Sequence, residues 1–364
     1  MSLPETGGKM QMQFRHFAHL SHLQLKARRR AGEIVDSAHA EWHLKRVAAW
    51  ADPIGEAYGF PPRVVELAKI AALFHDVFRS PRQDLGLKDE EASAQRAVHL
   101  LEHPKMQKLF VTTDEERKAV SYAIIHHGET PTLLKNTATR NDIPETLADK
   151  LHVVLYISDG LEKLGEPLIM RRSAFVGGKR LSEGDLKEVT YTGTNARLRQ
   201  SGGKLDPIKA ILLESAIRIG WKNVEDVYPE QVRPHVEPAY ATQRDWVAGL
   251  LAAEGLTVEA WVDMVMNTIN TRGQNSFQFS GINPPPASVQ EVVSILKGRG
   301  GMTDEIIQRA AQDTDLVTSS VEAASHFSSQ YDKSPEEALE KWKPRRRLAK
   351  AWKNSLETPK AARE

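Results

Sequence analysis

His75 and Asp76 stand side by side at the end of a strongly apolar run, Val64-Val65-Glu66-Leu67-Ala68-Lys69-Ile70-Ala71-Ala72-Leu73-Phe74. An imidazole and a carboxylate at the end of a buried element need a cation, a counter-charge or hydrogen bonds, because an unpartnered buried charge is costly. Further groups of the same kind recur in neighbouring segments: His43 within Glu41-Trp42-His43-Leu44-Lys45-Arg46-Val47, His126-His127 after Ala123-Ile124-Ile125, and Asp159 within Ile157-Ser158-Asp159-Gly160-Leu161. Imidazole nitrogens and carboxylate oxygens suit Mn, Fe, Zn, Co or Ni, with little selectivity among them. The chemistry that follows is metal-assisted hydrolysis, in which a bound cation acidifies a water and draws charge from the group under attack.

The elements that must bring these groups together read as helices, and the fold class expected is all-α. One helix starts near Asp36 or Ser37, both good N-cap types, and runs through Trp50 to about Ala51, where Asp52-Pro53 breaks it or begins the next. Pro61-Pro62 suits the start of the helix that ends at His75-Asp76. Residues 80–90 read as loop and about 90–103 as helix. Asp114 caps a helix that ends at His126-His127, with Gly128 just beyond it. A polar loop covers 129–143, and Pro144 opens a long helix that carries Asp159 and ends near Gly165. Residues 176–206, rich in Gly, Ser and Thr, read as a long loop, a lid candidate or a short hairpin. Helices resume at about 207–219 and 240–271, and Pro284-Pro285-Pro286 marks a linker.

The order His, His-Asp, His, Asp on successive helices resembles the HD-domain superfamily of metal-dependent phosphohydrolases over about residues 36–180. The phrasing is closest to small bacterial HD hydrolases. The parallels are His39-x-x-x-His43-x-x-Arg46-Val47 around the first histidine and Asp159-x-Leu161-x-x-Leu164-Gly165 around the last aspartate, with Met170-Arg171-Arg172 as the arginine-rich stretch after it. The resemblance implies an HD helical bundle with His43, His75, Asp76 and Asp159 as metal ligands. Asp76 would also orient the attacking water. His126 or His127 would contact substrate or a second metal, the reading leaning to His127. Arg79 lies where many HD enzymes carry a phosphate-binding lysine. Arg46 lies one helical turn beyond His43. Both are expected to stabilise charge on phosphoryl oxygens, and Lys163 is a further candidate for phosphate contact. Two-metal relatives carry another histidine after the His-Asp pair. Here the stretch reads Lys88-Asp89-Glu90-Glu91-Ala92-Ser93-Ala94, so one strong site is expected, with Glu90 or Glu91 as the substitutes.

Blander roles are expected for the neighbours. His39 reads as a supporting or surface histidine, His152 as a packed one, and Glu162 as a solvated helix residue. His16, His19 and His22 read as a partly exposed face, and Arg46 could equally pair with a carboxylate.

Composition bounds the alternatives. The chain has 364 residues, 40% hydrophobic and 27% charged, with net charge +1. That is globular composition with no overall field favouring nucleic acid or membrane. The absence of cysteine removes disulfides, thiolate metal sites and a cysteine nucleophile. No apolar run is long enough to span a bilayer and no secretory core opens the chain, so a cytoplasmic location and no membrane partner are expected. Leu3-Pro4-Glu5-Thr6-Gly7 reads as a sortase peptide at the wrong end, and residues 1–8 are set apart as a tag. The expected organisation is a basic extension at 1–35, an HD domain at 36–220, a helical region at 221–283, and a C-terminal helical region at 288–364 with a basic end. The expected substrate is a small phosphate ester, a nucleotide above all. Two other classes compete: a nucleotide-binding signalling protein with little turnover, and a nuclease on single-stranded nucleic acid that uses the basic C-terminal end as a strand contact. Oligomeric state is left open.

Overall fold

A computed structural model describes residues 17–26, 41–78, 88–162, 164–165, 212, 228–270, 288–298 and 301–329. The fold is all-α, with no strand among the described residues. The tag, the 176–206 loop, the Pro284–Pro286 linker and the basic C-terminal end lie outside them. The chain divides into two compact units: residues up to Lys163 together with Tyr228–His235, and Leu164–Val227 together with Val236–Leu356.

The first unit contains α1 (residues 17–26), α2 (Glu41–Ala57), α3 (Pro62–Phe74), α4 (Asp89–Glu102), α5 (Pro104–Gln107), α6 (Asp114–His126), α7 (Thr132–Lys135) and α8 (Leu147–Leu161), with a 3-10 turn at Glu230–Val232. At its centre α2, α3 and α8 pack on one another, and α6 packs on both α3 and α8. The helices meet through fully buried aliphatic side chains, among them Leu44, Val47 and Ile54 of α2, Leu67 and Leu73 of α3, Ile124 of α6, and Leu151 and Val154 of α8. A helix apolar on most of its circumference belongs inside a bundle, and α3 and α8 have that character.

Several ends are set by local chemistry. Thr113 caps α6: its hydroxyl accepts from Glu116 N at 3.1 Å, and the Glu116 carboxylate accepts from Thr113 N at 2.9 Å. This reciprocal box makes Thr113 the cap and Asp114 the first helical residue. Thr146, two residues after Pro144, likewise caps α8 by accepting from Asp149 N at 3.1 Å. Asp52-Pro53 neither breaks α2 nor starts a new helix. Proline in a helix interior costs about 3 kcal/mol through its missing N–H and its ring. Here Pro53 and Ile54 are buried in a helix that packs against both α3 and α8, and that burial offsets the loss. What ends α2 is Gly59, at φ 65°: Gly59 N donates to Glu56 O and Phe60 N to Gly55 O, both at 2.9 Å. This is the paired C-terminal closure that a left-handed glycine permits. Arg63 then ties α3 to α6 through Glu116 (Nε to Oε1, 2.6 Å).

The second unit holds the part of α9 (Arg233–Ala253) from Val236 onward, α10 (Val258–Asn270), α11 (Val289–Gly298), α12 (Asp304–Gln312) and α13 (Thr314–Ser329). The single helix expected over 240–271 is interrupted. Gly255, at φ 65°, closes α9 with the same bond pair, Gly255 N to Ala252 O and Leu256 N to Leu251 O. Leu250, Leu251, Val258, Trp261, Val292, Leu296 and Met302 form one core, and the Trp261 indole donates to Leu212 O at 2.9 Å. Among the described residues no helix is long and apolar enough to cross a membrane.

Candidate metal centre

The candidate ligands come from four places in the first unit. His43 projects from the first turn of α2, Asp159 from the last turn of α8, His75 and Asp76 follow α3, and His127 follows α6. All five residues are buried, His43 completely.

Their donor atoms converge. His43 Nε2 lies 3.3 Å from Asp159 Oδ1 and 3.7 Å from Asp76 Oδ2. His75 Nε2 lies 3.4 Å from Asp76 Oδ2 and 3.9 Å from Asp159 Oδ1. His127 Nε2 lies 3.6 Å from Asp76 Oδ1. Two overlapping groups result, His43–His75–Asp159 and His75–Asp76–His127, in each of which the ligand atoms lie within 4.8 Å of one another. Donors each about 2.1 Å from one cation stand roughly 3 to 4 Å apart, and these separations have that scale. Most are too long for good hydrogen bonds.

Helix ends fix the tautomers. The last carbonyls of a helix have no partner within it, and a histidine just past the end can donate back to one. His75 Nδ1 lies 2.7 Å from Ala72 O, and His127 Nδ1 lies 2.8 Å from Ile124 O. Each Nδ1 therefore carries the hydrogen. In the neutral ring this leaves the Nε2 lone pair pointing at carboxylate oxygens. His75 Nε2 is buried without a hydrogen bond of its own. A lone pair facing a carboxylate is repulsive until a proton or a cation lies between them, so the donor set fits a divalent cation.

The electrostatics agree. Burial drives the His75 pKa down, but Asp76 and Asp159 outweigh it, and the net shift is upward. Burial also lowers His127, and the neighbouring His75 lowers it further, so that ring is neutral near pH 7. The two histidines, 4.8 Å apart between ring centroids, are thus pushed in opposite directions.

The other expected site residues distribute as follows. His126 is half-exposed, with Nδ1 3.2 Å from the Glu129 carboxylate, and it belongs to neither ligand group. Arg46 is buried, and its Nε donates to both Glu162 oxygens, at 3.0 and 2.9 Å. Glu162, expected to be solvated, is fully buried because it receives this guanidinium and the Trp50 indole. Arg79, Lys163 and His39 lie outside the described residues. Glu90 and Glu91 sit in the first turn of α4, where Glu91 accepts from Lys88 N at 3.1 Å, and neither joins a ligand group among the described residues. His152 is buried, with Nε2 2.8 Å from His126 O and 3.0 Å from Glu129 O, and so fastens the chain just after α6.

Two residues close to this centre carried no signal in the sequence. Tyr156 on α8 lies 3.2 Å from the Thr130 hydroxyl, and Tyr228 is buried nearby. Burial first and the Asp159 charge among the smaller causes raise both phenols, so they stay neutral. Tyr156 reads in the sequence as one more apolar helix position, and Tyr228 stands nearly seventy residues downstream of α8, where no pattern links it to Asp159.

Residues 42–154 match the family model described as the HD domain. The match includes His43, Arg46, His75, Asp76, His126 and His127, and it ends shortly before Asp159. Comparison with curated proteins and with solved structures gives no match.

Proposed function

From the membership of the HD-domain superfamily that residues 42–154 carry, a family of metal-dependent phosphohydrolases, we propose that this chain hydrolyses a small phosphate ester, a nucleotide foremost. The observation that carries the reading is the set of buried imidazole and carboxylate donors 3.3–3.9 Å apart, with His75 Nε2 aimed at two carboxylates. His43, His75, Asp76 and Asp159 hold one divalent transition-metal ion. Bound there, such an ion lowers the pKa of a coordinated water and withdraws charge from a phosphoryl oxygen.

The chain's own groups do the rest. Asp76 presents one oxygen towards His43 and His75 and the other towards His127, so it can both ligate and orient the attacking water. His127, neutral and with its Nε2 lone pair turned toward Asp76, is the second candidate base for that water's proton. Arg79, three residues after Asp76 in the sequence, balances phosphate charge. His126, half-exposed at the end of α6, and Lys163 are the further candidates for contact with the substrate.

The test is a phosphoester panel with nucleotides of one, two and three phosphates, assayed with each of Mn, Fe, Zn, Co and Ni and after chelation. Metal-dependent release of phosphate from a small ester supports the reading. Tight nucleotide binding without product under every metal replaces it with a signalling role, and degradation of an oligonucleotide in preference to small esters replaces it with a nuclease.

A further inference from the structure

The contact between His43 and Asp159 is repeated one turn further along both helices by a pair of opposite charge. Arg46 follows His43 by three residues on α2, and Glu162 follows Asp159 by three residues at the end of α8. Residues three apart lie on nearly the same face of a helix. The Glu162 carboxylate takes Arg46 Nε at 2.9 and 3.0 Å and Trp50 Nε1 at 2.9 Å. The guanidinium carbon also stands 4.8 Å from the Trp42 ring centroid. Arg46 and Trp50, both on α2, thus hold the end of α8 through one carboxylate, and Trp42 of the same helix packs on the Arg46 guanidinium. Arg46 is 3% exposed and Glu162 0%. Such a pair is poorly placed to reach a substrate, and removing one partner takes the opposite charge away from a buried group.

We infer that Arg46 and Glu162 are positioning residues: they fix the spacing and rotation of α2 against α8 and so hold His43 Nε2 and Asp159 Oδ1 at the separation a single cation requires. This rests on the reading of the cluster as a cation site, and it gives Arg46 a role through Glu162 in place of direct contact with phosphate. Outer groups that orient metal ligands commonly change cation affinity by about 10- to 100-fold.

The test titrates Mn2+ and Zn2+ into the full chain and its variants Arg46→Met, Glu162→Gln and Arg46→Met/Glu162→Leu, alongside helicity and the thermal midpoint of the metal-free proteins. The single variants are expected to lose at least about tenfold in cation affinity at a temperature where helicity is intact. The double variant removes both buried charges, so its midpoint is expected to recover towards that of the parent while its cation affinity stays low. That split marks positioning, because a purely structural pair would lose and regain both properties together. Parent-like affinity in the singles, or joint recovery of affinity and midpoint in the double, overturns the inference. So does normal cation affinity in Arg46→Met with only the substrate KM raised, which returns Arg46 to the phosphate. A parent chain that binds neither cation overturns the reading of the site itself, a result distinct from the other three.

Discussion

At the scale of single residues, the centre works by withholding partners. Both His75 and His127 spend Nδ1 on a helix carbonyl and turn Nε2 toward acid groups. Without a cation, a proton is the only species that relieves this arrangement, which is why the carboxylates lift His75 above the ordinary imidazole value of 6.5. A group whose pKa is raised keeps its proton to higher pH, so a cation bound at His75 would compete with that proton. Cation binding near pH 7 is therefore expected to release a proton, and apparent affinity is expected to climb as pH rises through the raised value and then level off. Calorimetric titration in buffers of different ionisation enthalpy measures this directly. An affinity independent of pH between 6 and 8, with no buffer-dependent heat, would contradict the protonation state assigned to His75. At this scale the candidate donors were legible in the sequence and the groups that support them were not. The His75-Asp76 pair, His43 and Asp159 stand out because charged groups interrupt apolar helices. Glu162 does not, because Gly160-Leu161-Glu162-Lys163 reads as a helix frayed into solvent. Its burial depends on Arg46, 116 residues away along the chain.

Helices deliver these side chains, and their ends matter more than their middles. Three of the five candidate ligands lie immediately after a helix: His75 and Asp76 after α3, and His127 after α6. The register of α6 is fixed at its far end by the Thr113–Glu116 capping box. Thr113→Ala is expected to destabilise the fold by about 1 kcal/mol, measurable as a lower urea midpoint with an unchanged slope. No loss of stability would mean that the box adds nothing beyond the packing of α6 on α3 and α8. Helix existence was legible from apolar periodicity, whereas boundaries were not. Proline and glycine are local signals, and their reading depends on tertiary context: Pro53 sits inside α2 because its neighbours are buried, while Gly59 and Gly255 end their helices by adopting positive φ. The choice between His126 and His127 is one of helical phase. His127 still has helical dihedrals, so the phase of α6 decides which ring turns inward.

Across the whole molecule, every candidate ligand belongs to the first unit, and Trp261 anchors the core of the second. The family match likewise lies within the first unit. A cation that binds only the folded chain stabilises it by mass action, by about 4 kcal/mol at a thousand times its dissociation constant. Chelation is therefore expected to lower the thermal midpoint of the metal-loaded protein, and readdition of metal to restore it. Trp261→Ala is expected to destabilise by about 3–5 kcal/mol through lost packing and to leave the cation affinity of the folded protein unchanged. A variant that folds yet loses the cation would show that the second unit supports the centre. The second unit was the least legible part of the chain. Its helices carry a regular apolar pattern, but no residue set among them points to chemistry, and apolar periodicity alone identifies a core without a function.

The account depends most on one cation held jointly by His43, His75, Asp76 and Asp159. Metal content of the purified chain and of His43→Ala, His75→Ala, Asp76→Ala and Asp159→Ala, each checked for helicity, tests this most directly. One equivalent of a divalent transition metal in the parent, lost from all four folded variants, is the predicted result. A parent without such a metal after incubation with each candidate ion, or a folded His75→Ala protein that keeps its full equivalent, would contradict it.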